Sequence, residues 1–213
     1  MKSVSPKYKL QLTNIAKHYG RTLLFKKRSF KIVPGEIFAI TGWNGSGKST
    51  LLRVIAGLVR PSAGKVEMFC ENKLLPPEKK RHFIGMVAPA LSLYDELTAR
   101  ENLTFFINVR GLNLNNKSID KILQQVGLSG WEDEPYGIYS SGMKQRLKVA
   151  QALLHQPPLL LLDEPFSNLD SKGIEIVDQI IKEQKKWGMI IIASNEQREI
   201  EYADRIINLS QGS

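Results

Sequence analysis

The sequence predicts an α/β fold built on a mostly parallel sheet, with an antiparallel β subdomain at the N-terminus and a helical subdomain inserted midway. Three observations predict it. Gly42-Trp-Asn-Gly-Ser-Gly-Lys-Ser-Thr50 matches the phosphate-binding loop, two glycines with four residues between them followed by Lys-Ser, and it stands between a strand-like run and a helical one. Short apolar runs alternate with helical patterns through the C-terminal half, as a parallel sheet requires. Between them, Thr98 to Val126 switches to helical periodicity.

The chain opens in β style. Lys9 to Ile15 alternates, with Leu10, Leu12 and Ile15 on one face, and Tyr19-Gly20 breaks the run, which marks an antiparallel hairpin region. Phe25 to Val33 continues it and Pro34-Gly35 turns the chain. Taken alone, Tyr19 reads as a packed strand residue; an adenine-stacking ring is the alternative. Glu36 to Thr41 is a short buried strand, and Ser49 to Ala56 a helix that stops at Gly57.

Strand, loop and helix together define a nucleotide site. Glycines at 42, 45 and 47 let the backbone wrap a triphosphate, with Asn44, Ser46 and Thr50 completing the loop. The helix N-terminus puts partial positive charge beneath the phosphates, Lys48 reaches the β- and γ-phosphates, and the Ser49 hydroxyl is placed to ligate Mg²⁺. ATP and Mg²⁺ are the expected ligands.

Pro61 to Gly64 turns into a strand at Lys65 to Phe69, Pro76 to Arg81 is a polar loop, and Phe83 to Val87 is another strand. Helices follow at Thr98 to Val109 and Asn116 to Val126, punctuated by Gly111, Gly127 and Gly130. Residues 90–135 are therefore read as a helical insertion in a single domain of 213 residues, whose core with its β subdomain comprises 1–89 and 136–213. Met143, Leu147, Ala150 and Leu154 recur at helical spacing and predict a core stripe. At the start of that helix, Ser140, Ser141 and Gly142 form either a plain serine N-cap or a second anion site.

Leu159 to Leu162 predicts a buried strand that delivers Asp163 at its carboxyl end, where a Mg²⁺-binding acid belongs in a phosphate-loop fold. Glu164, one residue on, can aim at an attacking water. A helix from Ser171 to Trp187, a buried strand from Met189 to Ala193, a short helix from Glu196 to Ala203 and a last strand from Arg205 to Leu209 complete the series.

Composition narrows the class. A chain of 24.0 kDa holds one sizeable core, or one core with a helical annex. No apolar run approaches the ~20 residues that cross a bilayer, so a soluble protein is expected. The opening Met1 to Lys9 lacks an apolar h-region, so no secretory signal is expected. A single Cys70 excludes an intramolecular disulfide and fits a reducing cytoplasm, while His18, His82 and His155 have no metal-ligand spacing. Of the net charge of +9, all lies in residues 1–35, with nine basic residues and no acid; the remainder carries 21 of each sign. Lys26-Lys27-Arg28 and their neighbours therefore face either anionic headgroups or an acidic partner, or are simply a solvated strand surface.

In this order, the pieces resemble the ATP-binding subunit of ABC transporters of the bacterial exporter-like kind, over nearly the whole chain. Asp163-Glu164-Pro165 followed by Ser167-Asn168-Leu169-Asp170 resembles the family's acidic strand and D-loop. Tyr139 to Met143, then Lys144-Gln145-Arg146, is similar to the signature motif, with Ser141 where glycine is usual. Leu93 to Leu103 resembles the entry to the helical subdomain. The resemblance makes Tyr19 the adenine-stacking residue, reversing its reading in isolation. It implies Glu164, Lys48 and Asn195 as catalytic residues, Ser49 and Asp163 as metal ligands, and Ser140 to Gly142 as the contact to nucleotide held by the opposite subunit.

That family is an ATPase coupled to transport. The resemblance implies a head-to-tail homodimer or heterodimer around two ATP molecules, an integral membrane permease as obligatory partner through a groove near Pro89 to Leu97, and a cytoplasmic place on the inner face of the membrane. No nucleic acid partner is expected. The signature spelling and the absence of a regulatory domain after Ser213 lean towards export. Two positions depart from the family: Pro89 stands where a glutamine is usual, and Asn195 where a histidine is usual, so slower hydrolysis is expected. The rival readings are a soluble ATPase of this type in a cytoplasmic assembly and a slow-turnover regulatory ATP switch.

Overall fold

A computed structural model describes residues 7–210. The expectation about the opening segment falls largely on residues 1–6, and that about the end of the chain on 211–213, both outside the described residues. In chain order the elements are β1 (Tyr8–Tyr19), β2 (Thr22–Ile32), β3 (Ile37–Thr41), α1 (Lys48–Ala56), β4 (Ala63–Cys70), β5 (Lys73–Leu74), α2 (Pro77–Lys80) and β6 (Ile84–Val87). There follow α3 (Ala99–Arg110), α4 (Asn116–Gln125), α5 (Ser141–Leu153), β7 (Leu159–Asp163), α6 (Ser171–Lys185), β8 (Met189–Ala193), α7 (Gln197–Ile200) and β9 (Arg205–Asn208).

The strands form two sheets. One is antiparallel, in the order β2-β1-β4-β5; the other is parallel, in the order β6-β7-β8-β3-β9. Alternation explains why the parallel strands are buried on both faces. Leu160, Leu162, Ile190 and Ile192 join one core cluster with α3 to α6, whereas Leu159, Leu161, Met189 and Ile191 join another with α1 and the antiparallel sheet. Each of these leucines is at most 1% exposed, so truncation of any one to alanine costs about 2–5 kcal/mol. Phe30 of β2 stacks on Phe38 of β3 at 4.1 Å between centroids and fastens one sheet to the other.

Some elements differ from their expected bounds. β1 runs on to Tyr19 because Asn14, at φ +51°, inserts a bulge that keeps Leu12 and Ile15 both inward. The expected helix at 196–203 shrinks to α7, four residues long. Lys26-Lys27-Arg28 is not one surface: Lys26 and Lys27 are exposed, but Arg28 is half-buried and donates to the Leu209 carbonyl at 3.2 Å. Residues 90–135 have no core of their own. Leu103, Ile119 and Leu123 belong to the same cluster as Leu160 and Ile190. A bridge from Thr98 to Pro135 and a bond from Tyr136 N–H to the Leu97 carbonyl (2.9 Å) close that segment at its base.

His155, just beyond α5, ties the helical side to the sheet. Its Nε2–H donates to the Ile84 carbonyl at 3.1 Å, and its Nδ1 is buried without a partner among the described residues. Burial, then the Arg110 guanidinium, hold the ring down to about 4 from an ordinary 6.5. The unfolded chain thus takes up a proton that the fold refuses. Stability is full above pH 6.5 and is lost as pH falls towards 4. Asp163 and Glu199, both raised by burial, slope the opposite way. Denaturation curves at pH 7.5 and 5 are therefore expected to lie closer together for His155→Gln than for the unaltered chain; an unchanged gap counts against this account.

Candidate functional site

Strand β3 ends at Thr41, and the chain turns through residues 42–47 into α1. Gly42 and Gly47 have φ of +144° and +96°, values that L side chains rarely adopt. Space is short as well: a Cβ at Gly42 would sit 2.7 Å from Ser46 Oγ, and one at Gly47 2.9 Å from the Phe25 ring of β2. The result is a bare backbone hollow with the antiparallel sheet behind it. Helix α1 opens on it with no side-chain cap and no acid in its first turn, leaving the first N–H groups for an anion.

Three buried polar groups inside the hollow fit a phosphate ligand. Lys48, 7% exposed, turns its ammonium back on the Gly42 carbonyl at 2.6 Å and the Trp43 carbonyl at 3.4 Å. Ser46, 4% exposed, has a buried hydroxyl with no partner among the described residues. Asp163, at the carboxyl end of β7, is 3% exposed and hydrogen-bonded to Ser49. Burial is the larger influence and raises the Asp163 carboxyl, with Ser49, Arg53 and Lys48 pulling it down and Glu164 pushing it up.

Ser49 and Asp163 are two hard oxygen donors on adjacent elements. They suit a small divalent cation that shares its remaining ligands with phosphate and water, because no group of three or more His, Cys, Asp or Glu among the described residues makes a closed metal cage.

Strand β8 lies between β3 and β7 and brings Asn195 to the loop. Asn195 Oδ1 accepts the Gly42 N–H at 3.1 Å, and its Nδ2 donates to Asn44 Oδ1 at 3.4 Å. Glu164 is exposed, with a left-handed backbone at φ +50°. It lines, with Asn44, Asn195 and Glu199, a cleft of about 520 Å³ that opens beside the loop. Gly45 and Thr50 complete the same turn and the first turn of α1. The site is thus assembled from the carboxyl ends of β3, β7 and β8 in a parallel sheet.

Other expected residues stand elsewhere. Tyr19, at the β1–β2 turn, is 53% exposed, which overturns its reading as a packed strand residue; the Lys17 ammonium lies 4.6 Å from its ring centroid. Ser140 caps α5 by accepting the Met143 N–H at 3.2 Å, and the nearest groups to a Cβ at Gly142 are Asn168 and Leu169. Ser140, Ser141 and Gly142 therefore have the D-loop segment of the same chain as neighbour. Pro89 has no side-chain donor, yet its carbonyl accepts from the Lys148 ammonium on α5 at 3.2 Å.

Several contributors escape the sequence pattern. Phe25 walls the loop from a distant strand, Ser210 Oγ accepts the Trp43 N–H at 2.9 Å, and Asn102, fully buried, donates to the carbonyls of Tyr94, Leu97 and Thr98. Phe25 and Ser210 act across long sequence gaps, and nothing local marks them. Asn102 acts within eight residues, and its polar position on the apolar side of α3 is the one signal that was present.

Comparisons with known proteins identify the family. The family profile described as ABC transporter matches residues 25–167. The bacitracin transport ATP-binding protein BcrA of Bacillus licheniformis is 37% identical over 194 residues, 90% of this chain and 63% of that protein. This chain therefore spans somewhat less than two thirds of that relative. The cytochrome c biogenesis ATP-binding export protein CcmA of Haemophilus influenzae is 34% identical over 190 residues, 89% of this chain and 90% of that one. Among solved structures, the ATP-binding cassette MJ0796, a dimer in a post-hydrolysis state bound to ADP and Pi, superposes with a TM-score of 0.82 at 28% identity and covers 93% of each chain.

Proposed function

The chain belongs to the ABC transporter family, as an ATP-binding protein of it, and from that premise we propose that it binds Mg-ATP in the loop at 42–50, hydrolyses it, and drives a separate membrane permease in the direction of export. The observation that carries the reading is the convergence on one hollow of Lys48, an orphaned Ser46 hydroxyl and the Ser49–Asp163 pair. Export is favoured by the name of one relative, a cytochrome c biogenesis export protein. No helix among the described residues is long and apolar enough to cross a membrane.

Each residue has a task in this scheme. Backbone N–H groups of residues 45–50 and the Lys48 ammonium hold the β- and γ-phosphates; Tyr19 offers its exposed ring to the adenine. Ser49 and Asp163 would hold a Mg²⁺, which when bound would supply positive charge to offset that of the phosphates. Glu164 accepts a hydrogen bond from the attacking water and orients it in line with the γ-phosphate. Gly142 adjoins Asn168 and Leu169 in its own chain, and in this scheme Ser140, Ser141 and Gly142 meet the nucleotide carried by a second copy. Two loops and two α5 N-termini then enclose two nucleotides, and hydrolysis releases the clamp.

The permease docks in a groove of about 190 Å³ between the sheet and the helical segment, lined by residues that include Leu58, Arg81, Leu91, Phe106 and Lys148. The Lys148–Pro89 bond ties the groove to α5, whose N-terminus faces the other copy's nucleotide. At the switch position, Asn195 is engaged with Gly42 and Asn44 and offers an amide where histidine would offer an imidazole. Turnover is accordingly slow. Asn195→His is expected to raise phosphate release by about 3- to 10-fold, equivalent to roughly 0.7–1.4 kcal/mol in the barrier. If that variant leaves turnover unchanged while Glu164→Gln abolishes it, the switch position is not limiting.

A further inference from the structure

The most enclosed acid among the described residues lies beside the site and has no task in the mechanism above. Glu199, in α7, is 1% exposed. Its Oε1 accepts the Phe166 N–H at 2.8 Å, its carboxylate is hydrogen-bonded to Ser194, and its Oε2 is buried with no partner among the described residues. An acid is expensive to keep in such a place, because burial raises the energy of its charged form and a half-satisfied carboxyl forfeits hydrogen bonds it would have in water.

What Glu199 holds is the segment that carries Glu164. The Glu164 backbone sits in the left-handed region at φ +50°, and Asn168 at φ +62°, conformations that cost a residue with a side chain roughly 1 kcal/mol each. Glu164 N–H is tied to the Ala193 carbonyl at 3.0 Å and its carbonyl accepts from Ser167 N–H at 3.1 Å. Two residues on, Phe166 is gripped from three sides by the α7 segment. Glu199 takes its N–H, the Arg198 guanidinium lies 5.6 Å from its ring centroid, and Tyr202 meets its ring edge at 5.9 Å. Asn195 begins that same segment.

We propose that Glu199 is a positioning residue for hydrolysis: by holding Phe166 N–H and Ser194 together, it locks the 164–168 turn to the Asn195 segment and so fixes the direction of the Glu164 carboxylate. The inference rests on the reading of Glu164 as the group that orients water. It assigns the buried acid a task that packing alone does not require, since an apolar side chain of the same length fills the same space. The lock also couples the two copies, because the 165–169 stretch adjoins the α5 N-terminus that faces the second nucleotide.

The test compares Glu199→Met, which keeps the length and loses the acceptor, with Glu199→Gln, which keeps an oxygen for Phe166. Turnover at saturating Mg-ATP is expected to fall at least about tenfold in the Met variant, with KM for ATP and Kd for a fluorescent ATP analogue within about twofold. Glu199→Gln is expected to recover kcat to within about threefold, and hydrogen exchange of residues 164–168 to quicken in the Met variant alone. The proposal is overturned if kcat of the Met variant stays within twofold of the unaltered chain, or if Met and Gln are equally impaired. It is also overturned if the Met variant fails to fold or loses KM as much as kcat, since the role is then structural. Glu164→Gln assayed alongside separates the two readings: normal turnover there sinks the assignment of Glu164, whereas normal turnover in Glu199→Met alone sinks only this one.

Discussion

Glu164→Gln is expected to lower ATP turnover by about 10²- to 10³-fold, while leaving the affinity for Mg-ATP within about threefold. The substitution keeps shape and removes the charge that accepts a hydrogen bond from water. Because Glu164 is exposed and stands at the cleft rather than inside the loop, nothing in nucleotide binding depends on it. The same variant, saturated with Mg-ATP, is expected to run at twice the monomer mass in size exclusion with light scattering, since a γ-phosphate that is not hydrolysed keeps both halves of the clamp engaged. Residual turnover above about a tenth of normal contradicts the assignment of Glu164. A strict monomer in the presence of Mg-ATP contradicts the shared site.

The second large effect is on binding. Lys48→Ala is expected to weaken ATP affinity at least about 30-fold, equivalent to roughly 2 kcal/mol, read by calorimetric titration. Lys48 is 7% exposed and its ammonium is already gathered to the Gly42 and Trp43 carbonyls, so the charge is held at the hollow at little further ordering cost. A charge-assisted bond in a site shielded from water is worth more than the same contact in the open. The melting temperature is expected to move by only a few degrees, because Lys48 contributes to no apolar cluster. A Kd within threefold of normal is incompatible with Lys48 holding phosphate. Together the two variants split the site into a part that binds and a part that reacts.

Much of the fold and the site is legible in the sequence. The glycine spacing at 42, 45 and 47 marked the hollow because only a bare backbone can take those dihedral angles and clear Ser46 and Phe25. Leu159 to Leu162 marked its strand because a strand buried on both faces must be apolar at every position. The resemblance to the ATP-binding subunits rested on motifs spread from Tyr19 to Asn195, and it led to the family that the comparisons support.

Other features were illegible, for identifiable reasons. In isolation Tyr19 looked like a packed residue because its aromatic ring sits in a β pattern, and only the resemblance reversed that reading; its exposure depends on its place at the hairpin tip, where the sheet ends. Arg28 looked like part of a charged surface, but its guanidinium reaches across 181 residues of chain to the Leu209 carbonyl. Asn195 was legible only as a departure from histidine. That its amide is matched to Gly42 N–H and Asn44 depends on β8 lying between β3 and β7.

By itself the sequence determined most of the elements and the family: local spacing of glycine, apolar and acidic residues dictates a strand, a glycine-lined hollow, a helix and a carboxylate at a strand end, since each is set by backbone geometry within a few residues. Only the tertiary structure decided which distant groups meet. The strand order set Asn195 against Gly42, brought Phe25 behind Gly47, and placed Glu199 under Phe166. Those contacts span from about 20 to more than 150 residues of chain, and no local preference encodes them; they follow from burying two apolar faces of one parallel sheet at once.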